Sequence, residues 1–177
     1  MSFRKENNVE WEFFKYAFPC SQVLLQQGKI TKEEYEDLKK KFLDCGAPER
    51  EILERVFSAA FVRIKKLASE QNKDYWDFEV INEYWENYHN KIIDEGEGIY
   101  GKAPESFKDL CKIHEAEVVE RKGNMLIVRY SGDGSRDEDR SRDETERVIF
   151  DTLVKDAKVG DKVKIHYGYG VEMVGLE

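Results

Sequence analysis

The chain has 177 residues, a formal net charge of −8, 40% hydrophobic and 37% charged side chains. That length admits one domain or two small ones. Residues 1–107 carry 21 acidic against 16 basic side chains and the remainder 16 against 13, so neither part offers a phosphate-neutralising surface. No run of 18 apolar residues is present to span a bilayer, and the N-terminus lacks the apolar stretch of a signal peptide, so a cytoplasmic protein is expected. Cys20, Cys45 and Cys111 are odd in number and widely spaced, which fits free thiols or ligands better than a disulfide framework.

The first 100 residues read as four amphipathic helices. Residues 8–28 carry Trp11, Phe13, Phe14, Tyr16, Phe18 and Val23, with a kink at Pro19 and a stop at Gly28. Thr31-Lys-Glu-Glu34 is a capping box opening a second helix to about Asp44. Pro48 suits the first turn of a third, along which Ile52, Val56, Phe57, Phe61, Ile64 and Leu67 recur at helical spacing to about Glu70. A fourth begins at Asp74 or Asp77 and carries Ile81, Tyr84, Trp85, Tyr88 and Ile92 to about Asp94. Short links between such helices predict an antiparallel bundle over 1–100.

Gly96, Gly98 and Pro104 mark a linker, with one short helical turn at Ser106–Leu110. Beyond it the period changes from helical to alternating. Strands are predicted near 113–121, 124–130, 146–152, 162–167 and 170–174. Residues 131–145 contain no apolar side chain and read as a solvated, mobile loop. Five short strands in so few residues predict a small barrel of the OB type over 108–177, an α+β chain overall. Along the fourth strand Val163, Ile165 and Tyr167 alternate with Lys162, Lys164 and His166, which places His166 on the lysine face with access to solvent. Gly168 and Gly170 permit a bend or bulge after it.

Cys111-Lys-Ile-His-Glu-Ala-Glu-Val-Val-Glu120, then Asn124–Tyr130, Leu153-Val154, Val159-Gly160-Asp161, Val163, His166, Gly168 and Val171 resemble the HypC/HupF hydrogenase-maturation chaperones over about residues 110–175. Here Cys111 follows a helical region, and Glu115 stands where that family has a proline. The resemblance implies a non-enzymatic accessory protein in which Cys111 and His166 hold an iron fragment together with a partner maturation protein. Iron would then be a transient cargo, and the isolated protein would carry no stoichiometric metal. Thiolate plus imidazole suits a soft iron centre.

Other candidates compete with more ordinary explanations. Cys111-x-x-His114 has ligand spacing, but one such pair is weak and His114 fits a half-buried strand position equally well. Glu86-x-x-His89 is the unit used twice in di-iron bundles; no second copy exists, and a solvated helix face explains it better. The aromatics of residues 1–100 read as core, too dense for one face, so part of the set is available for an interface. No phosphate loop, nucleophile elbow, zincin helix or dinucleotide fingerprint is present. A protein-interaction module that uses the barrel without metal is the alternative reading. An OB-type nucleic-acid binder using Lys155, Lys158, Lys162 and Lys164 is a third, disfavoured by the acidity.

Overall fold

A computed structural model describes residues 8–131 and 144–175. The chain divides into two units, Met1–Lys91 and Ile92–Glu177, which are described separately.

In the first unit, side chains set where helices begin. Asn8 caps α1 (Val9–Ala17) by accepting from the Trp11 amide at 2.8 Å. Pro19 sits in a 3₁₀ turn, Phe18–Cys20, where its missing N–H costs nothing, and α2 (Ser21–Gln26) follows. The predicted capping box is present at α3 (Lys32–Leu43): Glu34 N donates to Thr31 Oγ1 at 3.1 Å, and Thr31 N to Glu34 Oε2 at 2.9 Å. Asp77 caps α6 (Phe78–Glu83), while Asp74 Oδ1 accepts from the Trp76 amide.

Two helices expected to be continuous are interrupted. The third breaks at Phe57 (φ −104°, ψ 40°) into α4 (Arg50–Val56) and α5 (Ser58–Gln71). Val56 and Phe57 are adjacent and both buried. A straight helix would point them about 100° apart; the break turns both inward. The fourth passes through a π-helical turn, Tyr84–Tyr88, before α7 (His89–Asp94). Here adjacent Tyr84 and Trp85 are both buried, and His89 one turn later is buried as well. The core is aromatic: Phe13, fully buried, lies 4.6 Å from the Phe61 ring, 5.5 Å from Trp85 and 6.0 Å from Trp76, while Phe18 stacks on Phe42 at 4.4 Å.

In the second unit, a 3₁₀ turn (Gly98–Lys102) leads to α8 (Glu105–Cys111), one residue longer at each end than the predicted turn. Five strands follow: β1 (Ile113–Lys122), β2 (Met125–Ser131), β3 (Glu144–Phe150), β4 (Lys162–His166) and β5 (Tyr169–Met173). They close a barrel in the order β1-β2-β3-β5-β4, with β1 also paired to β4. All neighbours are antiparallel except β3 and β5, which meet in parallel at Phe150 and Tyr169. The alternating pattern does its expected work: Ala116, Val118, Leu126, Val128, Ile149, Val163 and Ile165 fill the interior. Gly170 is required by close approach, since a Cβ there would stand 2.5 Å from Val154 Cγ2.

Ser131, Glu144 and Thr145, assigned to the loop from sequence, belong to β2 and β3, paired across the hairpin. Cross-strand pairing holds them although none has an apolar side chain. The rest of that loop, 132–143, lies outside the described residues. Among the described residues no helix is long and apolar enough to cross a membrane.

Phe13→Ala should cost about 3–5 kcal/mol, the usual range for truncating a buried phenylalanine. Urea titration followed by tryptophan fluorescence would measure it; a loss below about 1 kcal/mol would mean that the Phe13 cluster does not organise this unit.

Candidate functional site

The short helix α8 ends against the barrel, and its last four carbonyls all find donors. Lys108 O accepts from the Lys112 amide at 3.1 Å, and Leu110 O from the Tyr167 amide at 3.2 Å. Asp109 O accepts from His114 Nε2 at 2.9 Å and from Arg147 Nη2 at 3.3 Å. Cys111 O accepts from His166 Nε2 at 2.9 Å. A helix end leaves four such carbonyls without intrahelical partners, and imidazole or guanidinium N–H groups suit its negative pole. Because carbonyls only accept, both histidines carry a proton on Nε2.

Around this end lies a partly buried polar cluster. Tyr130 Oη donates to Asp109 Oδ2 at 2.6 Å and receives Arg147 Nη2 at 2.7 Å. Arg147 also reaches Asp109 Oδ2 at 3.2 Å and donates through Nη1 to Tyr167 O at 3.0 Å. The His114 ring stacks on Tyr130 with centroids 4.4 Å apart, and the Arg147 guanidinium lies 5.0 Å from the same ring. Burial, with the hydrogen bond to Asp109, pushes the Tyr130 phenol up to about 12. Tyr167 takes the left-handed conformation (φ +55°), which is costly for a bulky residue. Its N–H and C=O are both held, by Leu110 O and by Arg147, and these bonds keep it there.

The residues singled out from sequence therefore meet, though not as a solvent-facing half-site. Cys111 and His166 are neighbours through the Cys111 carbonyl, while the Cys111 residue is 1% exposed and His166 is 0% exposed. His166 was expected on the solvent side with Lys162 and Lys164. It projects from that side of β4, but the end of α8 lies over it. His114, at 6% exposure, also bonds the helix end. Lys162 and Lys164 stand opposite Glu117 and Glu115 in the β1–β4 register, and Lys164 also lies 3.8 Å from Glu172. Carboxylates across the strands thus offset part of the basic strip proposed for nucleic acid.

Two other arrangements were not anticipated. On the barrel exterior Met125 faces Phe150 and Ile127 faces Val148 across β2 and β3, and the Phe150 ring lies 5.6 Å from Tyr169. Met125, Val148 and Phe150 are 38%, 56% and 40% exposed. The Arg129–Glu146 ion pair, at 2.9 Å, ends this apolar strip. Within the first unit, Cys20 Sγ and a ring nitrogen of His89 lie within 4.8 Å of each other. Glu86, the other half of the sequence motif, is exposed while His89 is buried. Sequence reading also missed Asp109, Tyr130 and Arg147; each sits at an unremarkable position in its own element.

Comparison of the chain with family models, with curated proteins and with solved structures finds no match.

Tyr130→Phe should cost about 1–3 kcal/mol by leaving Asp109 and Arg147 without the hydroxyl. Arg147→Met should cost about 1–3 kcal/mol, because it leaves Tyr167 O without its donor and takes the guanidinium away from Asp109 Oδ2. Denaturant unfolding of both variants checks this; two losses below about 0.5 kcal/mol would remove the cluster as a structural clasp. The raised Tyr130 pKa means that the fold holds its proton more tightly than the unfolded chain does. That contribution is complete below about pH 10 and is lost as pH rises to about 12. Alkaline unfolding of Tyr130→Phe should accordingly show a shallower loss of stability over that window than the parent protein.

Proposed function

We propose that the protein is a non-enzymatic accessory protein whose barrel binds a protein partner along the strip formed by Met125, Ile127, Val148, Phe150 and Tyr169. The observation that carries this reading is the strip itself: large apolar side chains on adjoining strands, in register and exposed. Contiguous exposed apolar surface is uncommon on soluble domains and is a feature of recognition faces. β3 pairs with β5 at one position, and the rest of that edge has no strand partner among the described residues. An extended peptide adding along β3 would satisfy its backbone groups and set alternate side chains over Val148 and Phe150. The strand order supports an OB-type identity for the barrel, and the helical stretches of residues 9–94 support a bundle. Free thiols at Cys20, Cys45 and Cys111 support a cytoplasmic setting.

A second reading keeps the resemblance to the hydrogenase-maturation chaperones, with Cys111 and His166 receiving iron as cargo from a partner maturation protein. Its support is the 2.9 Å link between His166 Nε2 and Cys111 O, which makes neighbours of the two residues. Burial of both residues counts against it, since a cargo ion needs a path to the thiol; the α8 end would have to lift first.

Selection of a displayed library of extended peptides on the full-length protein separates these readings. Enrichment of peptides with alternating apolar residues, lost on Val148→Glu/Phe150→Glu and retained on Cys111→Ser, is the expected result. Equal enrichment on the strip variant and the parent protein would sink the recognition strip. Anaerobic Fe(II) capture that vanishes in Cys111→Ser alone would promote the second reading.

A further inference from the structure

We propose that Cys20 and His89 are two ligands of an exchangeable divalent transition-metal site in the helical unit, one that accepts Zn²⁺ and its tetrahedral analogue Co²⁺. The inference is independent of the partner-binding strip and lies outside the cysteine and histidine pair that the chaperone resemblance singles out. Cys20 Sγ and a His89 ring nitrogen approach within 4.8 Å. A tetrahedral ion with a thiolate bond of about 2.3 Å and an imidazole bond of about 2.0–2.1 Å sets its two ligand atoms about 3.6 Å apart. A rotamer adjustment of an ångström or so closes that difference.

The surroundings of each residue favour ligation. The π-helical turn Tyr84–Tyr88 delivers His89, whose backbone N–H returns to Tyr84 O across that turn. Single π turns are uncommon and occur frequently at functional positions, where the wider turn re-aims a side chain. The imidazole is fixed between aromatic walls, with Trp85 at 5.1 Å and Tyr84 at 6.2 Å between ring centroids. His89 Nδ1 lies 3.3 Å from Asn90 Oδ1. An amide oxygen accepts, so this contact puts the proton on Nδ1 and leaves the lone pair on Nε2. That is the arrangement by which metal-binding histidines are commonly oriented.

Cys20 closes the 3₁₀ turn made by Pro19 and is only partly buried, so an ion can approach it. Burial pushes the Tyr84 phenol far above its usual range, Arg63 opposes that shift, and a charge on Cys20 adds to it. Cys20 and Arg63 thus both lie within electrostatic reach of the Tyr84 phenol. Thiolate with imidazole selects borderline-soft divalent ions over Mg²⁺ or Ca²⁺. Two ligands make a weak, exchangeable site, to be filled on addition of metal.

The test uses the reduced, chelator-treated full-length protein. Co²⁺ should produce a thiolate-to-metal charge-transfer band in the near ultraviolet, and the band should disappear in Cys20→Ser. Zn²⁺ affinity, read by competition with a chromogenic chelator, should fall at least tenfold in both Cys20→Ser and His89→Gln. Cys45→Ser should leave band and affinity unchanged. Circular dichroism establishes whether each variant is folded. Should Cys20→Ser unfold, Zn²⁺ protection of the parent protein from maleimide, located by mass spectrometry, replaces it: Cys20 should be shielded and Cys45 should not. A cobalt band that survives in folded Cys20→Ser, or equal alkylation of Cys20 and Cys45 with zinc present, overturns the assignment.

Discussion

Three carbonyl oxygens at the end of α8 (Asp109, Leu110 and Cys111) lie beyond the helix's own hydrogen bonds and need donors, and the barrel is built so that they find them. A seven-residue helix holds little stability of its own. Its end persists because β1 supplies His114, β3 supplies Arg147, β4 supplies His166, and the β4–β5 turn supplies the Tyr167 amide. Each donor comes from a different place in the chain. The helix end therefore sets the position of the strands as much as they set its own.

The same constraint accounts for the unusual features nearby. Tyr167 tolerates a left-handed backbone because both of its peptide groups are engaged, one by the helix and one by Arg147. Arg147 is held in turn by Asp109 and Tyr130, so one guanidinium serves a carboxylate, a phenol and two carbonyls. In a partly buried cluster of this kind each member depends on the others, and losing one strands the rest. In this geometry His114 and His166 cap the helix end, and the exposed apolar side chains lie on the barrel exterior.

Much of this fold is legible in the residues. The capping box at Thr31, the 3₁₀ turn at Pro19 and the switch to alternation after Pro104 are local signals, and the structure uses each of them. The strand limits fall within two residues of those read from alternation, because one buried face forces the register. Phe57 and Tyr84–Tyr88 were not legible as breaks. Each lies in a good helical pattern, and the break arises where two adjacent large side chains must both enter the core.

The sequence by itself determined which segments are helix and which are strand, since periodicity and capping depend on neighbours a few residues away. It also carried the alternation that puts Val163 and Ile165 inside the barrel. It could not assign His166, because alternation tells which side of a strand a residue faces and not what covers that side. Tertiary structure decided that the end of α8 lies there, and so turned a solvent-facing candidate into a buried helix cap. Tertiary structure likewise brought His89 to Cys20, 69 positions away in the chain, and gathered Asp109, Tyr130 and Arg147 from three elements. Such encounters are set by the path of the whole chain, which no local pattern encodes.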